Sequence, residues 1–485
     1  MTVADRPNIL LIVNDHQAYY RHGWGGGVMP RRPHFDGLAA GGANFGQAFT
    51  ASALCVPARR TMATGLLPHN HGLVDNNEER PERSRDFWWR RLAEIGYRNL
   101  YFGKWHQGLD TAQDNGCEGF SLPSYGNPYL SRAYHEYCRD QRLQDAWFDV
   151  EHSFWPPERL PTRGAYCMAG SWSTDHASGI MRTPTDTCES FFLAHQAVEA
   201  LRELVGSRQP WALQVHFWGP HQPYFPSEEF AARYDPAQVL EYGSFHDDLS
   251  GKPEHYRRER NWPLQRDGRA IVPSPLPWED WATVLARCYA QITMVDAAGG
   301  LVLDALDELG LAERTLVVWT TDHGDAVASH GGRFDKRSYM TEEMYRIPMA
   351  VRWPGVIEAG GNVDALVSNI DLGPTLLDAA GAAPYPRADG RSLLPLVRGE
   401  TSDWREDLMC ESHGHGEPVI SRLLVRGDYR YIATPDDTDE LYDLRADPYQ
   451  LRNLIGDAAH SGILADLRER LRRWQHETDD PESVL

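Results

Sequence analysis

The chain has 485 residues, 41% of them hydrophobic and 24% charged, which is the composition of an ordinary globular protein and excludes a disordered or collagen-like one. Its 48 Lys and Arg residues against 69 Asp and Glu residues give a net charge of −21. This balance argues against nucleic acid or an acidic membrane as a partner, because both are bound through basic surfaces. A small anionic substrate would need positive charge concentrated at one site.

Five short β-rich runs bounded by turn residues predict buried parallel strands. In chain order they are Asn8–Asn14, Tyr97–Phe102, Ala212–Phe217, Thr315–Thr321 and Ile347–Arg352. Helical patterns followed by a glycine lie between them, at Phe87–Ile95, Thr187–Val205 and Trp281–Leu309. This alternation predicts an α/β fold, a large mainly parallel sheet sandwiched by helices, with ligands at the carboxyl ends of the strands.

Two stretches, 118–185 and 235–275, do not fit the alternation. The first is aromatic and the second is polar and arginine-rich, and both are expected to be lids, pocket walls or packed loops. Further on, Gly427-Asp428 between two β-rich runs predicts a hairpin, and Ile463–Gln475 predicts an amphipathic helix. We therefore predict a catalytic domain over residues 1–395 and a C-terminal α+β subdomain, with a small antiparallel sheet and a terminal helix, over 396–485.

Seven cysteines are spread along the chain without a CxxC pair, so we expect buried thiols and neither a disulfide framework nor a zinc cage. The apolar run Ile9–Val13 is far shorter than a signal peptide core or a membrane span. No other stretch reaches about 18 apolar residues. We therefore expect a cytoplasmic protein that does not associate with membranes. The sequence leaves homo-oligomerisation open.

The most informative string is CVPAR at residues 55–59, followed by Thr64-Gly65. It resembles the signature of the type I sulfatases of the alkaline phosphatase superfamily. In that family the cysteine is oxidised by a formylglycine-generating enzyme to formylglycine, whose hydrate is the nucleophile. The resemblance implies this modification at Cys55 and this enzyme as a partner. A buried, unmodified cysteine before a proline-initiated helix is the structural alternative.

Further motifs extend the resemblance along nearly the whole chain. Asp15 follows the first predicted strand, as the family's metal-binding acid does. Other segments that resemble the family are GKWHQG at 103–108, PHQP at 220–223, TDHG at 321–324 with Lys336 downstream, and ELYDL at 440–444. The chain departs from the family at His16, where a second Asp is common, and at Gln107, where Leu is commoner.

The resemblance implies one divalent cation, held by Asp15, Asp322, His323 and the oxygen of the modified Cys55. Carboxylates are hard oxygen ligands, so calcium is expected first, and the imidazole makes manganese the next choice. His16 could bind this cation, or it could replace a carboxylate and lower the negative charge of the site. An Asp at the end of a strand could also cap the next helix.

Only three of the 48 basic residues are lysines, and two of them, Lys104 and Lys336, lie inside the family motifs. The ammonium group is a compact point charge suited to a phosphate or a sulfate, whereas a guanidinium group is a planar fork. Both lysines are therefore predicted to bind the ester and to act in catalysis. Lys252 lies in the polar stretch and is predicted to be a surface residue.

Two histidines inside the motifs, His106 and His221, are predicted to transfer protons, because imidazole titrates near neutrality. The resemblance implies that His221 contacts the ester and, with Lys336, protonates the leaving alcohol. It also implies that His106 helps to expel sulfate from the enzyme. Arg59 is expected to activate the nucleophile through its charge, and Asn76 to hydrogen-bond the anion.

Three functions are open at this point. The first is the hydrolysis of sulfate monoesters by a formylglycine hydrate at Cys55. The second is the hydrolysis of phosphonate monoesters or phosphodiesters on the same scaffold, since such relatives also use formylglycine and often lack the second metal-binding Asp. The third is a non-catalytic anion-binding protein with unmodified Cys55, which the set of proton donors and metal ligands argues against.

Overall fold

The computed structural model describes residues 6–19, 27–153, 164–166, 177–258, 264–266, 269–271, 277–333, 335–400, 402–415, 418–482 and 484–485. Its strands are β1 (Asn8–Asn14), β2 (Ala43–Phe45), β3 (Ala48–Phe49), β4 (Arg98–Lys104), β5 (Glu118–Leu122), β6 (Phe148–Ser153), β7 (Gly164–Tyr166), β8 (Ala177–Met181), β9 (Trp211–His216), β10 (Leu264–Arg266), β11 (Arg269–Ile271), β12 (Thr315–Thr321), β13 (Met349–Arg352), β14 (Gly361–Val363), β15 (Val367–Ser368), β16 (Leu408–Ser412), β17 (Ser421–Arg426), β18 (Tyr429–Ala433) and β19 (Glu440–Asp443). Its helices are α1 (Pro33–Ala40), α2 (Cys55–Thr64), α3 (Pro68–His71), α4 (Trp88–Glu94), α5 (Arg132–Asp140), α6 (Glu189–Leu204), α7 (Glu228–Ala231), α8 (Glu254–Arg258), α9 (Trp278–Glu308), α10 (Glu342–Tyr345), α11 (Leu372–Ala379), α12 (Leu394–Val397) and α13 (Ser461–Thr478).

The largest sheet of the described residues has eight strands in the order β14-β2-β13-β12-β1-β9-β4-β5. The five strands from β12 to β5 in this order are parallel, and Leu11 of β1 lies between Val318 of β12 and Gln214 of β9. The predicted α/β class, with a large and mainly parallel sheet, is confirmed. The three predicted helices correspond to α4, α6 and α9.

Strand β1 shows why the parallel strands are continuous apolar runs. Leu10 and Ile12 belong to a core cluster shared with α6 and α9, whereas Ile9, Leu11 and Val13 belong to a second cluster shared with α2, α4 and α11. Each of these five side chains is at most 1% exposed. The sheet is therefore covered by helices on both faces, which leaves no solvent-facing side to carry polar residues.

The predicted strand Ile347–Arg352 is present as β13, but it runs antiparallel to β12 and not parallel as expected. Val318 of β12 pairs with Val351 of β13. Parallel neighbours need a crossover of a dozen or more residues, usually a helix. The described part of the segment between β12 and β13 contains only the four-residue helix α10. The chain therefore turns back alongside β12.

The two stretches that do not follow the alternation meet in a second sheet, in the order β11-β10-β6-β7 with β8 paired to β6. The expectation of irregular segments is therefore wrong where these stretches form strands, and it agrees with the structure over 239–253, which has neither helix nor strand. Tyr134 and Phe148 of the aromatic stretch lie in the main core with Phe192 of α6. The aromatic residues Phe154, Trp155 and Trp172 lie outside the described residues.

A four-stranded antiparallel sheet, β16-β17-β18-β19, and helix α13 follow the main sheet in the chain. Strands β17 and β18 form the predicted hairpin, with Arg426 paired to Tyr429 and Gly427 at φ +52°. The predicted terminal helix lies within α13. Leu424 of this sheet shares a core cluster with Phe49 and Met344, so the sheet packs on the main fold. The division into domains at residue 395 stays a prediction.

The six cysteines in the described part of the chain are buried, and none of them forms a disulfide, in agreement with the prediction of buried thiols. Cys167 lies outside that part. None of the helices that the structure describes is both long and apolar enough to cross a lipid bilayer. The cytoplasmic location stays a prediction.

Lys252 is buried, at 3% exposed, and the prediction that it is a surface residue is wrong. Its Nζ donates to the Tyr442 hydroxyl over 2.8 Å and to the Gln450 carbonyl over 2.5 Å, and it lies 3.7 Å from Glu440 Oε2. All three partners belong to the C-terminal part of the chain. A polar local sequence did not reveal this burial, because the partners lie far away along the chain.

We expect Lys252→Met to lower the stability of the protein by about 3 kcal/mol, because it leaves Glu440 buried without its cation. Lys252→Arg should also destabilise, since a guanidinium is larger than the ammonium it replaces. The urea concentration at half-unfolding measures both effects. Arg445→Met is the control, because Arg445 is 68% exposed and its pairing with Asp443 should contribute little. An unchanged midpoint for Lys252→Met would contradict the anchoring role.

Candidate active site

The motif residues come together at one edge of the central sheet. Asp15 follows β1, Lys104 ends β4, His221 lies after β9 and Asp322 follows β12. These strands are neighbours in the order β12-β1-β9-β4, and because they are parallel their carboxyl ends meet. The loops that follow them are joined by backbone hydrogen bonds, such as the one from the Asp15 N–H to the Gly219 carbonyl at 3.0 Å.

Cys55 is the first residue of α2, a helix in which every residue is buried. Pro57 lies in its first turn, where the missing N–H costs no helical hydrogen bond. The Val56 N–H donates to the side-chain oxygen of Asn76 over 3.1 Å, so Asn76 satisfies an amide at the start of the helix. This contact places Asn76 beside Cys55, and its predicted hydrogen bond to an anion stays a prediction.

Four buried residues could hold a metal ion: Asp15, Cys55, Asp322 and His323 each place a ligand atom within 4.8 Å of the others. Asp15 Oδ1 and Asp322 Oδ2 are buried and accept no hydrogen bond from the residues that the structure describes, although both face the Arg59 guanidinium. His323 Nδ1 lies 2.8 Å from the Gly324 carbonyl and donates to it, and Nε2 lies 3.2 Å from Cys55 Sγ. Although burial opposes it, Asp322 and Cys55 raise the pKa of His323, so a bound cation would displace the proton of Nε2. Two carboxylates and an imidazole nitrogen fit a divalent cation.

Arg59, one helical turn after Cys55, lies between the two carboxylates. Its Nη2 is 3.4 Å from Asp15 Oδ1 and its Nε is 3.0 Å from Asp322 Oδ2. Although burial opposes it, the charges of His323 and Arg59 hold the pKa of Asp322 well below its usual value. Burial also opposes the charge of Arg59, but Asp322 and Asp15 raise its pKa. Asp322 and Arg59 therefore stay ionised at neutral pH.

His16, where the family often has a second acid, belongs to a different group. Its Nε2 lies 3.5 Å from Asp325 Oδ1 and 3.7 Å from Asp335 Oδ1, and its ring is 4.7 Å from the ring of His221. Burial, followed by the charge of Lys336, lowers the pKa of His16 well below its usual value, so the imidazole is neutral. His16, His221 and Asp335 form a second group that could hold an ion, with ligand atoms within 4.8 Å of one another. Whether His16 binds the cation or only lowers the negative charge of the site stays a prediction.

Lys336 brings its ammonium into the group of His16. Its Nζ lies 3.3 Å from Asp335 Oδ1 and 3.3 Å from His221 Nε2. His221 Nδ1 lies 2.6 Å from the Gln222 carbonyl, so it carries the proton of the neutral ring and Nε2 accepts from the ammonium. Burial, followed by Lys336, lowers the pKa of His221 well below its usual value, which keeps the shared proton on the lysine.

Lys104 and His106 lie at the end of β4 and just after it. Lys104 is fully buried, and its Nζ donates to Asp15 Oδ2. The His106 N–H donates to the Ser124 carbonyl over 3.0 Å, and the residue has φ +42°. Burial, followed by Lys104, lowers the pKa of His106 well below its usual value. Its Nδ1 has no hydrogen-bond partner in the described part of the chain, so it could accept a proton.

The sequence did not identify four further residues near these groups, which are Tyr125, His216, Asp325 and Asp335. His216 Nδ1 lies 3.1 Å from Arg59 Nη1 and supports that side chain. Asp335 directly precedes Lys336, and Asp325 directly follows the TDHG string, so closeness to a motif could have identified both. His216 ends β9, so its place at the carboxyl end of a predicted strand could have indicated it. Nothing in the sequence around Tyr125 indicates the site, because the pairing of β5 with β4 brings it there.

The fold matches those of a solved phosphonate monoester hydrolase and a solved 2-O GAG sulfatase. The solved structure of phosphonate monoester hydrolase of Agrobacterium radiobacter matches with a TM-score of 0.77 at 22% identity, over 98% of this chain and 96% of that chain. The family model Sulfatase matches residues 7–382, and the model N-sulphoglucosamine sulphohydrolase, C-terminal, matches residues 329–477. The chain belongs to the sulfatase family and is a sulfuric ester hydrolase.

Two relatives resemble this chain over most of its length. The uncharacterized sulfatase YidJ of Escherichia coli (strain K12) is 28% identical over 98% of this chain and 88% of its own. The choline-sulfatase of Rhizobium meliloti (strain 1021) is 27% identical, also over 98% of this chain and 88% of its own. Sulfatases generally use a metal ion and a formylglycine, and the group of Asp15, Cys55, Asp322 and His323 could hold such an ion.

We expect the protein to bind about one divalent cation per chain at this group. Asp322→Ala should bring the bound metal close to zero, because it removes a carboxylate from the ligand set. His16→Asn is the matched control and should keep the bound ion, since His16 lies in the other group. Both variants are dialysed against calcium or manganese, and mass spectrometry then measures the metal bound to each. Loss of the ion in His16→Asn would make His16 a ligand and contradict this assignment.

Proposed function

We propose that the protein hydrolyses sulfate monoesters with a formylglycine formed from Cys55, beside one divalent cation, calcium first and manganese next. The observation that supports this most is the position of Cys55 at the start of a buried helix, with Sγ 3.2 Å from His323 Nε2 and in one group with Asp15 and Asp322. A cysteine that only fills the core needs no ionised carboxylates beside it. The substrate would be a small anionic ester, and a formylglycine-generating enzyme would be needed as a partner.

Asp15, Asp322 and His323 would hold the cation together with the oxygen of residue 55. When bound, the cation and the formylglycine hydrate would supply an activated hydroxyl as the nucleophile and would polarise the ester. Two carboxylates favour calcium, and the imidazole keeps manganese as the second choice. Arg59 would limit the repulsion between the two carboxylates and add positive charge next to the nucleophile.

Lys104 and Lys336 would stabilise the negative charge that develops on the ester oxygens. Both are buried, at 0% and 3% exposed, so their charges act in a site with little water. Each already pairs with a carboxylate, Lys104 with Asp15 and Lys336 with Asp335. These pairs hold both ammonium groups in place before the substrate arrives, and such preorganised charge is usually the largest contribution to catalysis.

His221 and Lys336 would supply the proton to the leaving alcohol. Since His221 Nδ1 is bonded to the Gln222 carbonyl, Nε2 accepts from the Lys336 ammonium at 3.3 Å. A proton of this ammonium can pass to the departing oxygen directly or through Nε2. His106 would take a proton from residue 55 when sulfate leaves, because its ring is neutral.

A second candidate is the hydrolysis of phosphonate monoesters or phosphodiesters on the same scaffold. The observation that favours it is His16, which replaces an acid and lies outside the group of Asp15, Cys55, Asp322 and His323. The charge of the site does not separate the two classes, because both esters carry a single negative charge. The third possibility, a non-catalytic anion-binding protein, has no support from the membership in a family of hydrolases.

We expect active protein to carry formylglycine at position 55, because the thiol itself cannot form the hydrate. Mass analysis of the peptide across residues 50–60 should show the sulfur of Cys55 replaced by a carbonyl oxygen. Initial rates on an aryl sulfate, a phosphodiester and a phosphonate monoester, with one preparation, then measure the preference. We expect the aryl sulfate to be hydrolysed fastest.

The control for this experiment is Cys55→Ala, which should be inactive on all three esters and still folded, since Pro57 keeps the start of the helix. Full activity of protein that carries only the thiol would contradict the role of formylglycine. A faster rate on the phosphonate monoester or the phosphodiester would replace the first function by the second.

We expect Lys→Ala at position 104 or 336 to lower kcat/KM by about a hundredfold, and Lys→Arg to lower it almost as much. The guanidinium is bulkier than the ammonium and does not give up its proton. Lys252→Arg is the matched control: it should lower stability and leave kcat/KM of the folded protein within about twofold.

Leaving groups of different pKa separate the two lysines. The fall in kcat/KM caused by Lys336→Ala should become smaller as the leaving alcohol becomes more acidic, because such an alcohol can leave without a proton. The loss in Lys104→Ala should be the same for every leaving group. The opposite pattern would exchange the roles given to the two residues.

A further inference from the structure

Tyr125 packs against three side chains to which the proposed function gives a role. Its ring centroid lies 4.0 Å from Lys104 Nζ, 5.0 Å from the His106 ring and 5.5 Å from the His221 ring. An ammonium over an aromatic face is attracted by it, and edge-on rings are a favourable arrangement. The ring therefore keeps Lys104, His106 and His221 at fixed separations.

The backbone around Tyr125 is hydrogen-bonded to the loop after β4, which carries His106, and to the loop after β9, which carries His221. The Ser124 carbonyl accepts from the His106 N–H at 3.0 Å, and the Tyr125 carbonyl accepts from Trp218 Nε1 at 2.8 Å. Ser124 has φ +55°, a conformation that non-glycine residues seldom adopt. These contacts hold Tyr125 between the segment after β4 and the segment after β9.

The phenol oxygen of Tyr125 has no hydrogen-bond partner in the described part of the chain, although the residue is only 7% exposed. Nearby buried tyrosines differ in this respect. The Tyr134 hydroxyl donates to the Thr187 carbonyl at 2.7 Å, and the Tyr129 hydroxyl accepts from the Glu189 N–H at 3.1 Å. A buried hydroxyl without a partner costs free energy, and a ligand that accepts from it would remove that cost.

The ring of Tyr125 lies against the Lys104 ammonium, which places the phenol beside the group of charges around Asp15. Burial, followed by the charges of Asp15 and Cys55, raises the pKa of this phenol well above its usual value. The phenol therefore stays protonated and can only donate to an anion.

We propose that the Tyr125 hydroxyl donates a hydrogen bond to a non-bridging oxygen of the bound ester group, beside Lys104 and Lys336. This inference rests on the proposed function, because it takes the ester to bind at residue 55. Tyr125 is then a further catalytic residue, which contacts the group that is transferred. It adds a donor without adding charge, which suits an ester that carries a single negative charge.

Tyr125→Phe tests this contact, because it removes the oxygen and keeps the ring over Lys104, His106 and His221. We expect kcat/KM to fall by about 10- to 150-fold, the range for a hydrogen bond to a charged group. The melting temperature should stay the same or rise, because the hydroxyl has no partner to lose. The metal content and the fraction of formylglycine should not change. In a Cys55→Ala background, where no turnover occurs, Tyr125→Phe should also weaken the binding of inorganic sulfate, followed by titration calorimetry.

Tyr134→Phe is the matched control, because Tyr134 is also buried but its hydroxyl donates to the Thr187 carbonyl. It should lower the melting temperature and leave kcat/KM within about twofold. The proposal would be overturned if kcat/KM of Tyr125→Phe lay within twofold of the wild-type value on every ester that the protein hydrolyses. A fall in metal content or formylglycine that accounts for the loss would also overturn it, since the hydroxyl would then act on the site and not on the ester.

The comparison is made on whichever ester the wild type hydrolyses fastest. If that ester is a phosphonate monoester or a phosphodiester, the proposed function fails. The ratio of kcat/KM between Tyr125→Phe and wild type then still measures the contact of the Tyr125 hydroxyl with the ester. If that ester is an aryl sulfate and the ratio is near one, only the role of Tyr125 fails.

Discussion

The site depends on the pairing of its buried carboxylates with buried positive charges. Asp15 and Asp322 are fully buried at the ends of neighbouring strands, and two carboxylates stay ionised there only with positive partners. Arg59 lies 3.4 and 3.0 Å from them and supplies one such partner. Because Arg59 is four residues after Cys55 in α2, one turn of helix brings the guanidinium and the sulfur to the same face. The spacing of the CVPAR string therefore has a geometric cause.

The C-terminal part of the chain supports this site from a distance. Lys336 lies in the segment between β12 and β13, and two charged contacts flank it. His330 Nδ1 is 3.0 Å from Asp247 Oδ2, and Glu342 Oε1 is 2.6 Å from Arg430 Nε of β18. The buried contacts of Lys252 with β19 and with Gln450 join the same elements. Through Arg430 and Glu342, the small antiparallel sheet packs on the segment that carries Lys336.

The elements that the sequence predicted well are those whose evidence is local. Strand Thr315–Thr321 agrees at both ends, because its apolar run and its flanking residues are sufficient to define it. The direction of β13 and the pairing of β6 with β10 were not predicted, since both depend on partners elsewhere in the chain. Among the site residues, strand ends and motifs indicated Asp15 and Asp322, whereas Tyr125 has no local signal.

By itself, the sequence determined the α/β class and the chemical groups available to the site, because periodicity and motif spacing are local properties of a chain. The tertiary structure alone decided which partners each polar residue meets. It placed His16 beside Asp335 and Lys336, it buried Lys252 against the C-terminal sheet, and it set Tyr125 over Lys104. The reason is physical: such contacts follow from the order and direction of strands, and these are set by packing between distant segments.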